Sequence, residues 1–484
     1  MHFLKLPIAL LCLGYSLNIF AEVNIDESSD MQAEQLQSVS RLTSLQHLNT
    51  STYQLPQVHV LANTVPTFFV QSPSLSMVDV QINFNAGSSR DEDIGQGLIG
   101  LANSTARLMN EGTPKYNAEQ LALAFENLGV QVSFSASRDV FSVKLRSLSD
   151  AKTLDRAVEL MLHVLNEATF AQSSVTRLVE NNKVGQKQLQ ENPSRLLGIA
   201  FNRAIYAKHP YAEPTTGTLG SMQKIKPADI HTFREKFLVR ENANIAITGQ
   251  LNIKQATALA NTITQSLNKG QKASLLPSAP LQEELKIQHF SSKSTQAHVI
   301  MGHVATTRHD PDRLALQVAN RMLGSGGFNS ILMQELRVKR GYTYGASSSF
   351  SFSQATGSFS LSYSTRQDQL MDSILVAHKA LVDFVNQPID TKQLADTKAG
   401  MLLAFPRTLA SNADINSQLA ALGFHGESKD YLQQYSQALE KIDARQVQDA
   451  VRRWIHPDRL TVMVASQSLD KEALKRGLEA NLKP

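Results

Sequence analysis

Apolar positions in this chain follow two rhythms, and the same succession of rhythms occurs twice. Val78, Val80, Ile82 and Phe84 fall on every second residue, a period that predicts a strand with one apolar face. A helical pattern then runs from Leu98 to Asn110, and Gly112 and Pro114 end it. Asn117 offers a side-chain oxygen to cap a second helix, with Gln120 three residues on, and Gly129 supplies the stop. Val130, Val132 and Phe134 share one face of the next strand. Phe141, Val143 and Leu145 share a face of another, with the polar segment Ser137 to Asp139 between the two, and a helix from Thr153 to Asn166 completes the run.

The order recurs downstream. It predicts a strand around Val299, helices from Leu314 to Leu323 and from Asn329 to Lys339, and a stop at Gly341. Strands from Tyr342 to Ser349 and from Ser358 to Ser364 follow, then a helix from Gln367 to Val385. Each half closes with a helix and a strand: Pro227 to Phe237 with Asn244 to Thr248, and Asp443 to Trp454 with Leu460 to Ala465. Setting Gly129 against Gly341 gives a repeat of about 210 residues, far longer than the unit of a solenoid. Two tandem homologous α+β domains, each with helices packed on a mostly antiparallel sheet, account for the pattern. Lys, Gly, Ser and Pro collect over residues 268–284, which reads as an exposed connector between a first domain at 52–267 and a second at 285–484.

Ahead of the repeats lies MHFLKLPIALLCLGYSLNIFA, with a basic start at Lys5, an apolar run from Leu6 to Leu17 and a small-residue cut after Ala21. This is the grammar of a secretory signal over residues 1–21, too short in its apolar part to span a bilayer comfortably. Residues 22–51, rich in Ser, Gln, Asp and Glu, read as a polar extension. The single cysteine, Cys12, lies inside the signal, so the mature chain is expected to form no disulfide and no thiolate metal site. The expected location is the periplasm, with no membrane attachment after cleavage.

Composition narrows the function. The chain has 42% hydrophobic and 19% charged residues, the balance of a soluble globule. Its 47 Lys and Arg against 43 Asp and Glu leave +4, too little to hold nucleic acid electrostatically. GQGLIG, at Gly95, Gly97 and Gly100, spells the dinucleotide fingerprint, but SSRDED precedes it where a hydrophobic strand is required, so it reads as a flexible lead into a helix. No GxxxxGK[ST] loop or GxSxG elbow occurs. The 13 histidines never form HExxH, HxxEH or HxxxH, so no helix presents two imidazoles on one face. His298 and His303, five apart in an expected strand, point to opposite faces and are assigned structural or surface roles, while His209 and His456 sit in turns and are expected to act locally.

The segment from Phe84 to Thr113, FNAGSSRDEDIGQGLIGLANSTARLMNEGT, resembles the signature of the pitrilysin or insulinase family of inverted zinc peptidases, whose helix carries HxxEH after GLA. Placing GLA at Gly100 to Ala102 puts Asn103 and Arg107 where the two zinc-ligand histidines would sit, and Ala106 where the catalytic glutamate would be. The family's third ligand would fall around Lys183 to Gln186, in a stretch without a carboxylate from Asn181 to Gln190. The resemblance thus implies that this chain binds no metal, and Arg107 adds a repelling cation. A substitute metal site recruiting Glu111, Glu180 or Glu191 would lack the paired ligands of a catalytic zinc helix.

LGSGGFNSILMQELRVKRGYTYGASSS, from Leu323 to Ser349, resembles the family's second-domain motif, in which an arginine near a helix end and a later tyrosine face the active site. Here these are Arg337 and Tyr344, with Arg340 and Tyr342 as nearby alternatives. A guanidinium and a phenol can donate hydrogen bonds to the oxyanion formed on a peptide carbonyl, or to neighbouring peptide groups. The plainer account is a helix-end cation and a strand residue. Against it, the first-half positions at the same spacing are Phe125 and Val132, so the duplicated fold does not require the pair. The resemblance, from about Tyr53 to Ser466, implies that two such domains form half of a clam-shaped chamber. It also implies a two-chain peptidase in which a partner bearing HxxEH holds the Zn²⁺ and this chain assists in cleaving peptides. The alternatives are a catalytically inert structural or peptide-binding homologue, for which a second copy of itself could serve as partner in a homodimer, and the substitute metal site above.

Overall fold

The computed structural model describes residues 54–483; the expected signal and extension, residues 1–51, lie outside the described residues. One sheet contains β1 (His59–Val60), β2 (Thr67–Gln71), β3 (Met77–Phe84), β4 (Gln131–Ala136), β5 (Phe141–Leu148) and β6 (Ala243–Gly249), in the order β1-β2-β6-β3-β5-β4. The other contains β7 (Lys286–Ser291), β8 (Gln296–Val304), β9 (Ala346–Ser351), β10 (Ser358–Arg366) and β11 (Thr461–Ser466), in the order β7-β11-β8-β10-β9. β2 pairs with β6 in parallel, β7 pairs with β11 in parallel, and all other neighbours are antiparallel. Without the short β1 the two orders are the same strand for strand, so the repeated rhythm in the sequence is a repeated topology.

Alternation decides which face of each sheet meets its own helices. β5 turns Phe141, Val143 and Leu145 inward and β10 turns Phe359, Leu361 and Tyr363 inward. Helix Ala151–Glu167 lays Leu154, Val158, Met161 and Leu165 into the first core, and helix Leu370–Asn386 lays Ile374, Ala377 and Leu381 into the second.

The opposite faces are covered reciprocally, each by a helix from the other half. Helix Asn412–His425 packs Ile415, Leu419 and Leu422 with Phe68, Val70 and Ala246 of the first sheet. Asp79, Gln81 and Asn83, the polar half of the β3 alternation, are buried on that side. Asn83 and Asn244 both donate to the Ala420 carbonyl, at 3.3 and 3.0 Å, and Thr248 donates to Asn416 at 3.1 Å. In return, helix Pro193–Tyr206 packs Leu197, Phe201 and Ile205 against Val304, Met463 and Ala465 of the second sheet. Glycines permit both approaches: a Cβ at Gly302 would stand 3.0 Å from Phe201 Cζ, and one at Gly423 would stand 2.6 Å from Asn244 Nδ2.

The connector is not loose. Residues 268–284 form neither helix nor strand, yet Ala273 N donates to Asn242 Oδ1 at 2.6 Å and Arg90 donates to the Ser274 carbonyl at 2.5 Å. His209 Nε2 lies 2.8 Å from the Pro277 carbonyl, so it binds the connector as well as its own turn. Nearby, Tyr211 donates to Asp139 at 2.7 Å and accepts from Ala355 N at 3.1 Å, while Asp139 accepts from Gln354 N at 3.2 Å. These bonds join first-half residues to the β9–β10 turn.

His298 and His303 do lie on opposite faces of β8. His303 is buried, with Nδ1 donating to the Val304 carbonyl at 2.9 Å and Nε2 accepting from His456 N at 3.1 Å, which requires the neutral ring. Burial pulls its pKa down from 6.5 to about 4. The unfolded chain therefore binds a proton between pH 6.5 and 4 that the native ring refuses, so His303 contributes stability that is lost as pH falls through this window. Melting midpoints measured from pH 7 to 4 should fall more steeply in the wild type than in His303→Gln; parallel curves would assign the acid sensitivity elsewhere.

Candidate functional site

The zinc-motif positions lie on a well-formed helix, Leu101–Leu108, continued by a 3₁₀ turn at Met109–Glu111. Leu101, Ala102, Thr105 and Leu108 face the core. The helix begins three residues after the expected Leu98, because Asp91 takes its first N–H groups: Oδ2 accepts from Gly100 at 2.7 Å and Oδ1 from Ala102 at 2.8 Å. GQGLIG is thus a capped helix start that follows a 3₁₀ turn at Ser88–Asp93 rather than a strand. Burial pushes the Asp91 carboxyl up to about 8, against the pull of the Ala102, Gly100 and Leu101 amides.

Asn103 is half-buried, Ala106 is buried and Arg107 is exposed. An amide, a methyl and a guanidinium do not make a zinc site, which draws on imidazole, thiolate and carboxylate. The stretch expected to bring the third ligand, Lys183 to Gln186, lies in helix Gln172–Gln190 and points Gln186 at the Gly217 carbonyl, 3.2 Å away. Glu111 is paired with Arg177 and Glu180 with Lys183, so these carboxylates are already engaged. Among the described residues no three His, Cys, Asp or Glu side chains are grouped to hold a metal ion.

Arg337 and Tyr344 are brought together. Arg337 lies in a π-helical segment, Gln334–Val338, that continues the short helix Ile331–Met333. Gly341 ends it in the left-handed conformation, with φ 64°, and the N–H groups of Gly341 and Tyr342 return to the carbonyls of Arg337 and Leu336 at 2.9 and 2.8 Å. The expected strand at Tyr342 does not form. Thr343 Oγ1 donates to the Gly345 carbonyl at 2.9 Å and accepts from Gly345 N at 3.1 Å, a local closure that withholds these groups from the sheet until Ala346. Tyr344 therefore sits on a loop, 84% exposed, and its carbonyl accepts from Arg337 Nη1 at 2.6 Å.

Val132, half-buried within β4, is accordingly not the structural counterpart of Tyr344, which precedes β9. Phe125 is a core residue of helix Ala118–Asn127. Of the alternatives, Arg340 is paired with Glu335 at 2.6 Å and Tyr342 packs against the second core. Phe328, which the sequence reading passed over, lies under Arg337, its ring centroid 4.5 Å from the guanidinium carbon. No hydrogen bond, ion pair or ring contact among the described residues links this loop to Asn103, Ala106 or Arg107.

Residues 67–219 match the family described as Insulinase (Peptidase family M16), and residues 224–401 match the Peptidase M16 inactive domain. The chain belongs to the insulinase, or M16, peptidase family, and its second half is of the inactive-domain type. A similar relative is the "Non-peptidase homolog YmxG" of Helicobacter pylori, 22% identical over 83% of this chain and 92% of that one. Another is an "Uncharacterized zinc protease" of Rickettsia felis, 20% identical over 75% and 87%. Among solved structures, the peptidase M16 inactive domain from Pseudomonas fluorescens is 29% identical, with TM-score 0.81 over 86% of this chain and 99% of that one. A Helicobacter pylori protease, 18% identical with TM-score 0.73 over 85% and 100%, shares the fold.

Proposed function

We propose that this chain is the non-catalytic subunit of a two-chain periplasmic zinc peptidase, supplying Arg337 and Tyr344 while a homologous partner bearing HxxEH holds Zn²⁺ and cleaves. The observation that carries the reading is an asymmetry of repair. The zinc helix is intact in its packing and cap yet bears Asn103, Ala106 and Arg107, whereas half-buried Arg337 remains bonded to the carbonyl of Tyr344, whose ring is open to solvent. β9, which starts two residues after Tyr344, is an edge strand paired only with β10. An unfolded peptide can extend that edge by backbone hydrogen bonds and so pass the tyrosine hydroxyl, a mode that reads backbone more than side chain. The periplasmic part of the proposal rests on the signal-like residues 1–21.

The test is chelator-sensitive cleavage of unstructured peptides by this chain alone, by an HxxEH-bearing homologue from the same source alone, and by the two together. Activity is expected from the pair and not from this chain. Equal activity of this chain by itself would overturn the proposal. A second reading, a catalytically inert homologue that binds peptide or a second copy of itself, is favoured by the non-peptidase naming of the Helicobacter pylori relative. A stable homodimer that gains nothing from any HxxEH-bearing chain would select it.

A further inference from the structure

We infer that Phe328 is a positioning residue for Arg337, fixing its guanidinium with the outer edge open to an oxygen of a bound peptide; this rests on the role proposed for Arg337 above. Phe328 is 58% exposed, an unfavourable place for a phenyl ring, yet its loop is tied down on several sides. Ser330 Oγ donates to the Gly327 carbonyl at 2.7 Å, Gln334 Nε2 to the Phe328 carbonyl at 2.7 Å, and Gln393 Nε2 to the Asn329 carbonyl at 3.2 Å. The ring so held lies against the Arg337 guanidinium, 4.5 Å from centroid to carbon.

The guanidinium is thereby fixed twice, by the ring on its face and by the Tyr344 carbonyl at Nη1. Lys339 and Arg340 are both paired with Glu335, whereas Arg337 has no ion pair among the described residues. Its remaining N–H groups present a planar fork suited to a carboxylate or a peptide carbonyl. Two π-helical segments, Arg321–Ser325 and Gln334–Val338, stand on either side of the Phe328 loop. Such turns shift the helix register and collect at functional sites. Here the second one carries Arg337 itself.

The test uses the full chain and phenylglyoxal, which modifies arginine side chains, with Arg337 and the exposed Arg107 followed as separate peptides by mass spectrometry. Phe328→Leu should speed modification of Arg337 relative to Arg107 about two- to fivefold, the order set by an exposed cation–π contact, and Phe328→Tyr should keep the slow rate. Melting midpoints should not move. In the two-chain complex Phe328→Leu should lower kcat by the same factor with KM unchanged, and Phe328→Tyr should restore it. Equal modification rates in wild type and Phe328→Leu would overturn the inference. Faster modification with unchanged cleavage would support the positioning and overturn instead the role proposed for Arg337.

Discussion

Tyr344→Phe and Arg337→Ala should each lower kcat of the proposed two-chain complex by about a hundred- to a thousandfold, the usual consequence of removing one donor to a developing oxyanion, if the two residues play the part proposed for them. Folding should survive both changes. The Tyr344 side chain is 84% exposed, so deleting its hydroxyl orphans no buried partner, and Arg337→Ala returns the Tyr344 carbonyl to water. Arg337→Lys separates charge from shape: it keeps the cation and loses the fork together with the flat face that meets Phe328. If geometry matters, Lys should resemble Ala rather than the wild type. The measurement is single-turnover cleavage of a fluorogenic unstructured peptide, so that product release does not mask the chemical step. Wild-type rates in both Tyr344→Phe and Arg337→Ala would make the two residues structural and return the loop to being a solvated helix end.

What the sequence reveals of this molecule follows how local each determinant is. The Asn117 capping box with Gln120 and the left-handed Gly129 and Gly341 are set by residues within a few positions, and all are legible. The strand that alternation predicts at Tyr342 fails for the same kind of reason in reverse. Alternation continues through Tyr342 and Tyr344, but the Thr343 hydroxyl closes a turn that alternation does not encode. Helix Pro193–Tyr206 shows Leu197, Phe201 and Ile205 at helical spacing, which announces a buried face without saying that the opposing sheet belongs to the other half. Helix Asn412–His425 is harder still, because Asn412 and Asn416 spend their polarity on Ser72, just past β2, and on Thr248 of β6, and so blur the apolar stripe. At the site, Arg337 and Tyr344 are legible only through the family motif. Phe328 is hidden because a lone aromatic after two glycines has no periodicity to mark it.

The reciprocal helices carry the largest stability prediction. Leu419→Ala should destabilise the protein by about 2–5 kcal/mol, since the side chain is fully buried and a deleted isobutyl group leaves a cavity that close packing refills poorly. The substitution sits in the second half of the sequence, yet the contacts it removes belong to the cluster with Phe68, Val70 and Ala246 of the first sheet. Phe201→Ala should act in mirror image, since its ring belongs to the first half and packs in the cluster with Val304 and Met463. If each sheet depends on the other half's helix, the described chain melts as one unit despite its two cores, and either substitution lowers a single calorimetric transition. Hydrogen exchange in β6 and β11 should then accelerate together in both variants, because neither sheet retains a covered second face once its partner's helix leaves. Two transitions, of which Leu419→Ala lowers only one, would mean that each half carries its own stability. The buried Asn83 and Asn244 argue against that outcome: without the Ala420 carbonyl and the helix around it, these amides and the apolar Val70 and Ala246 beside them would face water on a sheet shaped to be covered on both sides.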